Sequence, residues 1–427
     1  MRKHHEWFSK CIPLIASENI PSPAVREAII SDFGNRYAEG WPGERVYAGC
    51  IYIDQVELLA IELAKKLFNA EFADVRPISG VVANLVAYTA FSDPGDWMMA
   101  LPIPKGGHIS MGKKKLWGTA GKVHGLVVKG FPYDEKELNI DVDKTRKRVK
   151  KFLEKGKKIK IFLLGASVFP FPHPVKEIRE IADELGDSYV VYDAAHVAGL
   201  IAGKQFQDPL REGADCVTMS THKTLPGPQG GMVLSWEKYA EVLKKAAFPA
   251  MLSNHHLHHV AGKAVVLAEM LKFGEEYAKQ IIRNAKALAQ ALYERGFKVL
   301  AEHKGFTESH VIWIDVTETP MKDGRTVEKA LEQANIIINR NLLPWDIRMG
   351  RHFMAPGGIR LGTSEVTRLG MRESEMQDIA EFIARVVLKG EDPKRVAEDV
   401  AEFRKEFQKV HYCFESVREA YEYIRIR

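Results

Sequence analysis

The sequence predicts an α/β protein: a large unit with a mostly parallel, mixed sheet between helices, followed by a smaller C-terminal α+β unit. Three observations carry that prediction. From about residue 70 to 236, short apolar runs alternate with helical segments, the pattern of a parallel sheet covered on both faces. A mostly helical stretch over 255–296 then leads to a second set of strands and helices. The length of 427 residues fits two or three cores better than one.

Residues 1–20 read as a polar arm ending in the apolar turn Ile12-Pro13-Leu14-Ile15-Ala16. A helix begins near Pro23, since proline suits a first helical turn. Residues 37–49, rich in Gly, Pro, Arg and aromatics without a period, read as an irregular functional loop. Val56, Leu59, Leu63 and Leu67 have helical spacing, which predicts a helix over 54–68. Another is expected over 82–91, entered through Ser79-Gly80. Strands are expected at 126–128, 159–164, 189–192, 216–219 and 231–234, with a charged-faced helix over 174–185. A break at Gly274 in the 255–296 stretch divides the chain into an arm (1–20), a large domain (21–274) and a small domain (275–427). The small domain carries strands at 297–300 and 311–316 and helices at 326–334 and 374–387. After the turn Gly390-Glu391-Asp392-Pro393, a polar helix is expected over 394–409.

Apolar residues make up 46% and charged residues 27%, ordinary for a globular protein. A formal charge of +5, spread over this length, is no nucleic-acid footprint. The basic stretch 146–160 contains Val149, Phe152 and Leu153, so it reads as an amphipathic helix with a solvated face. Cys11, Cys50, Cys216 and Cys413 lie far apart, match no metal-ligand spacing and read as reduced thiols. No apolar run reaches the length of a membrane span, and the charged, aromatic N-terminus is no signal peptide. The cytoplasm is the expected compartment.

Three constellations carry chemistry. Asp193 closes one strand, and Lys223 follows the next in Ser220-Thr221-His222-Lys223-Thr224. Such a pair suits pyridoxal phosphate: the lysine forms a Schiff base, and the carboxylate keeps the ring nitrogen protonated so that the ring acts as an electron sink. Ser167, Asp193 and Lys223 all fall beyond the carboxyl ends of strands, where ligands bind in such sheets. Ser79 and Gly80, at a helix entrance, suit a phosphate group, and equally an ordinary cap. Arg360, inside the apolar run Gly358-Ile359-Arg360-Leu361-Gly362, suits either a substrate carboxylate or a protein carboxylate.

From Leu14 to about Arg372 the chain resembles the serine hydroxymethyltransferases, which are fold-type I pyridoxal-phosphate enzymes with the aspartate-aminotransferase-like architecture. The blocks are Leu14-Ile15-Ala16-Ser17-Glu18-Asn19, Arg36-Tyr37-Ala38-Glu39-Gly40, Tyr47-Ala48-Gly49-Cys50, Gly106-Gly107-His108, Asp193-Ala194-Ala195-His196, Thr221-His222-Lys223-Thr224 and Gly358-Ile359-Arg360-Leu361-Gly362. Phe169-Pro170-Phe171-Pro172-His173-Pro174 and Ser253-Asn254-His255-His256 look like the archaeal branch.

The resemblance implies roles. Lys223 would carry the cofactor, Asp193 would bind its ring nitrogen, and His108 would stack on the ring. Ser167 and His196 would sit near its phenolic oxygen, and Ser79 and Gly80 would hold its phosphate, with Ser220 and His222 beside them. Arg360, helped by Ser17, would clamp the substrate carboxylate. Glu39 would handle the hydroxymethyl proton next to Tyr37 and Tyr47. In the family these three come from the partner subunit, which implies a homodimer with shared sites. The implied substrates are serine, glycine and a reduced pterin, either tetrahydrofolate or a modified carrier such as tetrahydromethanopterin.

The chain also departs from the family pattern. Val81 and Gln229 replace common phosphate-side residues, and Val46 and Met111 replace an aromatic and a histidine. Ser253-Asn254-His255-His256 replaces a glycine-rich phosphate loop, and Asn254 and His255 are expected to compensate by donating hydrogen bonds. Two other readings stay open: a pterin-independent aldolase acting on threonine or allo-threonine, and a catalytically silent relative that binds nucleic acid or protein.

Overall fold

The computed structural model describes residues 1–423. Its large sheet has seven strands: β1 (Phe72–Asp74), β2 (Trp97–Ala100), β3 (Val127–Gly130), β4 (Ile159–Gly165), β5 (Tyr189–Asp193), β6 (Cys216–His222) and β7 (Pro226–Ser235). They lie in the order β1-β7-β6-β5-β4-β2-β3, and only β7 pairs antiparallel with its neighbours. The strands are near-continuous apolar runs because both faces are covered. In β4, Phe162 and Leu164 enter one core while Ile161 and Leu163 enter the other, the alternation a pleat imposes. The short β1 and β2 were not expected from the sequence.

The second sheet is antiparallel: β8 (Lys298–Val299), β9 (Val311–Asp315), β10 (Asn339–Asn341) and β11 (Gly358–Gly362), in the order β8-β9-β11-β10. Helices Gly324–Gln333 and Glu373–Val387 contribute to the core it shares. The last helix, Pro393–Arg404, stops short of the expected 409.

Two expectations are corrected. Residues 255–296 do not break at Gly274: one helix runs from Leu257 to Glu294. A mid-helix glycine costs only about 1 kcal/mol, and buried neighbours on both sides, Met270 and Tyr277, hold this one helical. The lack of a side chain near Gly203 is what the helix needs there, since a Cβ on Gly203 would lie 2.4 Å from the Gly274 carbonyl. The first core includes Tyr277, Ala278 and Ile281 of this helix, and the second takes over from Ala285. The arm is also more ordered than its polarity suggested. It opens with a helix, Arg2–Phe8, and Ile12 and Pro13 pair in parallel with Ile336 and Ile337. Ile12 and Leu14 are fully buried in the second core.

Candidate active site

β5 and β6 are parallel neighbours, so their carboxyl ends bring Asp193 and Lys223 to the same edge. Burial pulls the Lys223 amine down to about 8; Asp193 opposes that shift and Arg360 adds to it. Asn19 fixes the lysine's backbone: its Nδ2 donates to the Lys223 carbonyl at 2.6 Å and lies 2.8 Å from the Tyr277 hydroxyl.

Asp193 is buried and locked. Its Oδ1 accepts from the Ala195 N–H at 3.0 Å and its Oδ2 from Asn84 Nδ2 at 2.8 Å. Asn84 in turn accepts from Thr218 Oγ1 at 2.5 Å and donates to Ser110 Oγ at 3.0 Å. The relay ends at His108, whose Nδ1 lies 2.8 Å from Ser110 Oγ and accepts the Ser110 N–H at 3.1 Å. Burial, and then Lys223 and Arg360 against the pull of Asp193, holds His108 below its ordinary value. With Nδ1 accepting the Ser110 N–H, the neutral form of the ring carries its proton on Nε2.

His196 is buried and held well below its usual value by burial first, then by Lys223 and Arg360. Its ring stacks on that of His310, with centroids 5.7 Å apart, and among the described residues its Nδ1 has no partner. His310 hydrogen-bonds the Ala16 carbonyl through Nε2 at 3.1 Å, and burial lowers it to about 3.

Arg360 is held by neutral groups alone among the described residues. Its Nη1 donates to the Ser167 carbonyl at 2.9 Å, its Nε to Asn339 Oδ1 at 3.1 Å and its Nη2 to Ser17 Oγ at 3.4 Å. Burial alone lowers it to about 10, and no carboxylate among the described residues pairs with it. A buried guanidinium held only by neutral groups is primed for an incoming anion.

Ser79 caps the helix Gly80–Phe91, its side chain accepting the Val82 N–H at 3.2 Å. A Cβ on Gly80 would come within 2.4 Å of Ser220 Oγ, so the bare glycine sets that hydroxyl against the helix entrance. Serine hydroxyls and free helix-start amides make an anion cradle. His222 sits alongside, its Nδ1 accepting the Gly230 N–H at 3.4 Å, and burial lowers it to about 4.

Tyr37, Glu39 and Tyr47 form a second cluster. The tyrosine rings lie 4.6 Å apart, and Glu39 Oε1 accepts from Ser253 Oγ at 2.8 Å. Among the described residues, no hydrogen bond or ion pair joins these three to Lys223, Asp193 or Arg360. Asn254 and His255 have other partners than expected: Asn254 Oδ1 accepts the Ala38 N–H at 3.0 Å, and His255 Nε2 lies 2.9 Å from Glu57 Oε2. Their donors are drawn into the loop and the interior. Met111 is a buried core residue, and Gln229 is exposed, with its carbonyl 2.7 Å from His259 Nδ1.

Asn84, Thr218, Ser110, Asn19 and His310 were not assigned roles from the sequence. Only Asn84 left a trace there, as a polar residue on the otherwise apolar helix behind Ser79.

The serine hydroxymethyltransferase family model matches residues 1–383. A serine hydroxymethyltransferase of Nitrosopumilus maritimus is 60% identical over all of this chain and 96% of its own length. The chain belongs to the serine hydroxymethyltransferase family. The family's member from Methanocaldococcus jannaschii is 56% identical over 99% of this chain and 96% of its own. Among solved structures, the L-threonine transaldolase of Pseudomonas fluorescens, in its internal aldimine state, matches with a TM-score of 0.84 at 31% identity. That match covers 97% of this chain and 92% of the transaldolase. The chain is thus a pyridoxal-phosphate-dependent transferase of fold type I. Its pocket fits the cofactor: a desolvated amine, a carboxylate fixed by two donors, a cradle for phosphate and a buried imidazole stand around one sheet edge.

Proposed function

We propose that the chain transfers the hydroxymethyl group of serine reversibly to a reduced pterin, leaving glycine. The observation that carries this reading is Arg360, a buried arginine paired with no carboxylate among the described residues, close enough to Lys223 and His196 to lower both. An α-amino acid brings the carboxylate it lacks.

Bound pyridoxal phosphate supplies an electron sink for charge left when a bond at the amino acid's α-carbon breaks. The chain's own residues do the rest. Lys223, with its amine near 8, is about a tenth neutral at pH 7, where an ordinary lysine is under about a thousandth neutral, and that fraction can act as a nucleophile. Asp193, held by Asn84 and Ala195, presents a carboxylate to a ring nitrogen. Arg360 and Ser17 orient the substrate by its carboxylate, which selects the bond to be broken. Glu39 takes the proton of the serine hydroxyl and returns it in the reverse direction.

We infer that two copies share their sites, so that Tyr37, Glu39 and Tyr47 serve the Lys223 pocket of the other copy. Support comes from the lack, among the described residues, of any hydrogen bond or ion pair between the two clusters, and from exposed apolar residues beside the loop, including Ile51, Tyr52 and Leu59. The four cysteines are free, three of them buried, which suits a reducing cytoplasm.

A second reading, an aldolase acting on threonine or allo-threonine, draws support from the name of the transaldolase neighbour. One experiment separates them: cleavage of serine and of threonine, each with and without tetrahydrofolate or tetrahydromethanopterin. Serine cleavage accelerated by one pterin is expected. Threonine cleavage indifferent to both, with serine inert, would overturn the proposal in favour of the aldolase.

A further inference from the structure

Behind the Glu39 loop lies a buried ionic cluster that the proposed chemistry does not use. Glu57, on the helix Ile51–Phe68, is 1% exposed and faces Arg45, Arg76 and His255, all buried. Arg45 joins Glu57 Oε2 at 2.8 Å and Asp54 Oδ1 at 2.8 Å. Arg76 Nε bonds Asp74 Oδ1 at 3.0 Å, its guanidinium lies over the Trp41 ring, and it approaches Glu57 Oε1 at 3.9 Å.

Replacing such a network with apolar groups of like volume is often neutral for stability. Its bonds, however, converge on one short stretch of backbone. Arg45 Nη1 donates to the carbonyls of Ala38 at 2.9 Å and Gly40 at 2.6 Å, the residues on either side of Glu39. Arg76 Nη1 adds a bond to the Gly40 carbonyl at 3.2 Å. The Ala38 N–H goes to Asn254, adjacent to His255, and the Val46 N–H closes on the Glu39 carbonyl at 3.1 Å. Gly40 has φ +96°, and a Cβ there would meet the Glu44 carbonyl at 2.5 Å, so only glycine lets the loop wrap this tightly.

We infer that Glu57, Arg45, Arg76 and His255 form a positioning device that fixes the backbone on both sides of Glu39 and thereby aims its carboxylate. The inference rests on the reading of Glu39 as the proton-handling group. Arg45 is the working part, because only a planar fork can bond two carbonyls and two carboxylates at once. Glu57 holds that fork in place.

The test compares Glu57→Gln, Glu39→Gln and the double variant, each as the full cofactor-loaded protein. Glu57→Gln is expected to lower kcat for pterin-dependent serine cleavage about ten- to a hundredfold, the scale of losing a hydrogen bond to a charged group. Serine KM and the affinity for pyridoxal phosphate should stay within about twofold, and amide exchange at Ala38 and Val46 should speed up about tenfold. The double variant should be no slower than Glu39→Gln alone, because both act through one group. Losses that multiply in the double variant, or unchanged kcat despite faster exchange, would overturn the inference. If Glu57→Gln does not fold, Asn254→Ala, at a half-buried position, removes the Ala38 bond and is read in the same way. Normal serine turnover by Glu39→Gln would overturn the reading of Glu39 instead, whereas amide exchange in Glu57→Gln decides separately whether the cluster holds the loop.

Discussion

Lys223, Asp193 and Arg360 stand on or just past strands, the last two buried and Lys223 half-buried, whereas Tyr37, Glu39 and Tyr47 stand on a loop with both tyrosines 46% exposed. The first group is complete within one chain. Asp193 and Arg360 both act on the Lys223 amine, and groups from other segments hold the three in place: Asn19 at the Lys223 backbone carbonyl, Asn84 at the Asp193 carboxylate and Asn339 at the Arg360 guanidinium. The second group is held through its backbone and, among the described residues, makes no hydrogen bond or ion pair to the first. The contrast teaches that rigidity and burial are separable: the cofactor half gains low dielectric and altered proton affinity, while the loop half gains position alone.

The largest effect that tests this contrast is on the buried half. Lys223→Ala should reduce serine turnover by about a thousandfold or more, as loss of a covalent catalyst does. Borohydride treatment should leave no trapped cofactor on the variant, and a trapped adduct there would place the attachment elsewhere. Mixing is the next test. Lys223→Ala and Glu39→Gln homodimers should each be nearly inactive, yet re-paired at random they should recover about a quarter of wild-type activity, one intact site in each mixed dimer. No recovery after verified subunit exchange would put both groups in the same chain's site.

Arg360→Lys should raise serine KM about ten- to a hundredfold, because a single ammonium cannot reproduce the fork. Steady-state kinetics with serine and with glycine would show it, and an unchanged KM would remove the carboxylate clamp. The smallest effect is on pH. Lys223 is shifted down, so its reactive neutral form accumulates as pH rises towards about 8 and is nearly complete soon above it. The rate of pyridoxal-phosphate uptake by the apoprotein should therefore climb through pH 7 to 8, reach half its limit near pH 8 and level off above about pH 9. An ordinary lysine would keep climbing to about pH 10.4.

Lys223, Asp193 and Arg360 were legible as residues because strand-end positions and a lone arginine in an apolar run leave local marks. What holds them was not legible. Asn19 meets Lys223 across 204 residues, and Asn84 meets Asp193 across 109, separations that no periodicity encodes. His310 touches His196 only because β9 and the Ala16 segment pass the sheet edge. In the fold, β1 and β2 were too short to show alternation. Gly274 looked like a stop because its sequence neighbours cannot reveal the tertiary packing that holds it. The arm read as polar because its pairing partner, Ile336, lies more than three hundred residues on.

The unbroken helix from Leu257 to Glu294 ties the two cores to one another. Its 38 residues span about 57 Å, with Tyr277 steadying Asn19 beneath Lys223 and Leu288 and Leu292 packed in the core that includes Ile359 and Leu361. Amine and guanidinium are thereby mounted on a common spar, like the jaws of a fixed-gauge calliper. A single rigid element, with no hinge along its length, thus sets the spacing between the Lys223 backbone and the strand that carries Arg360.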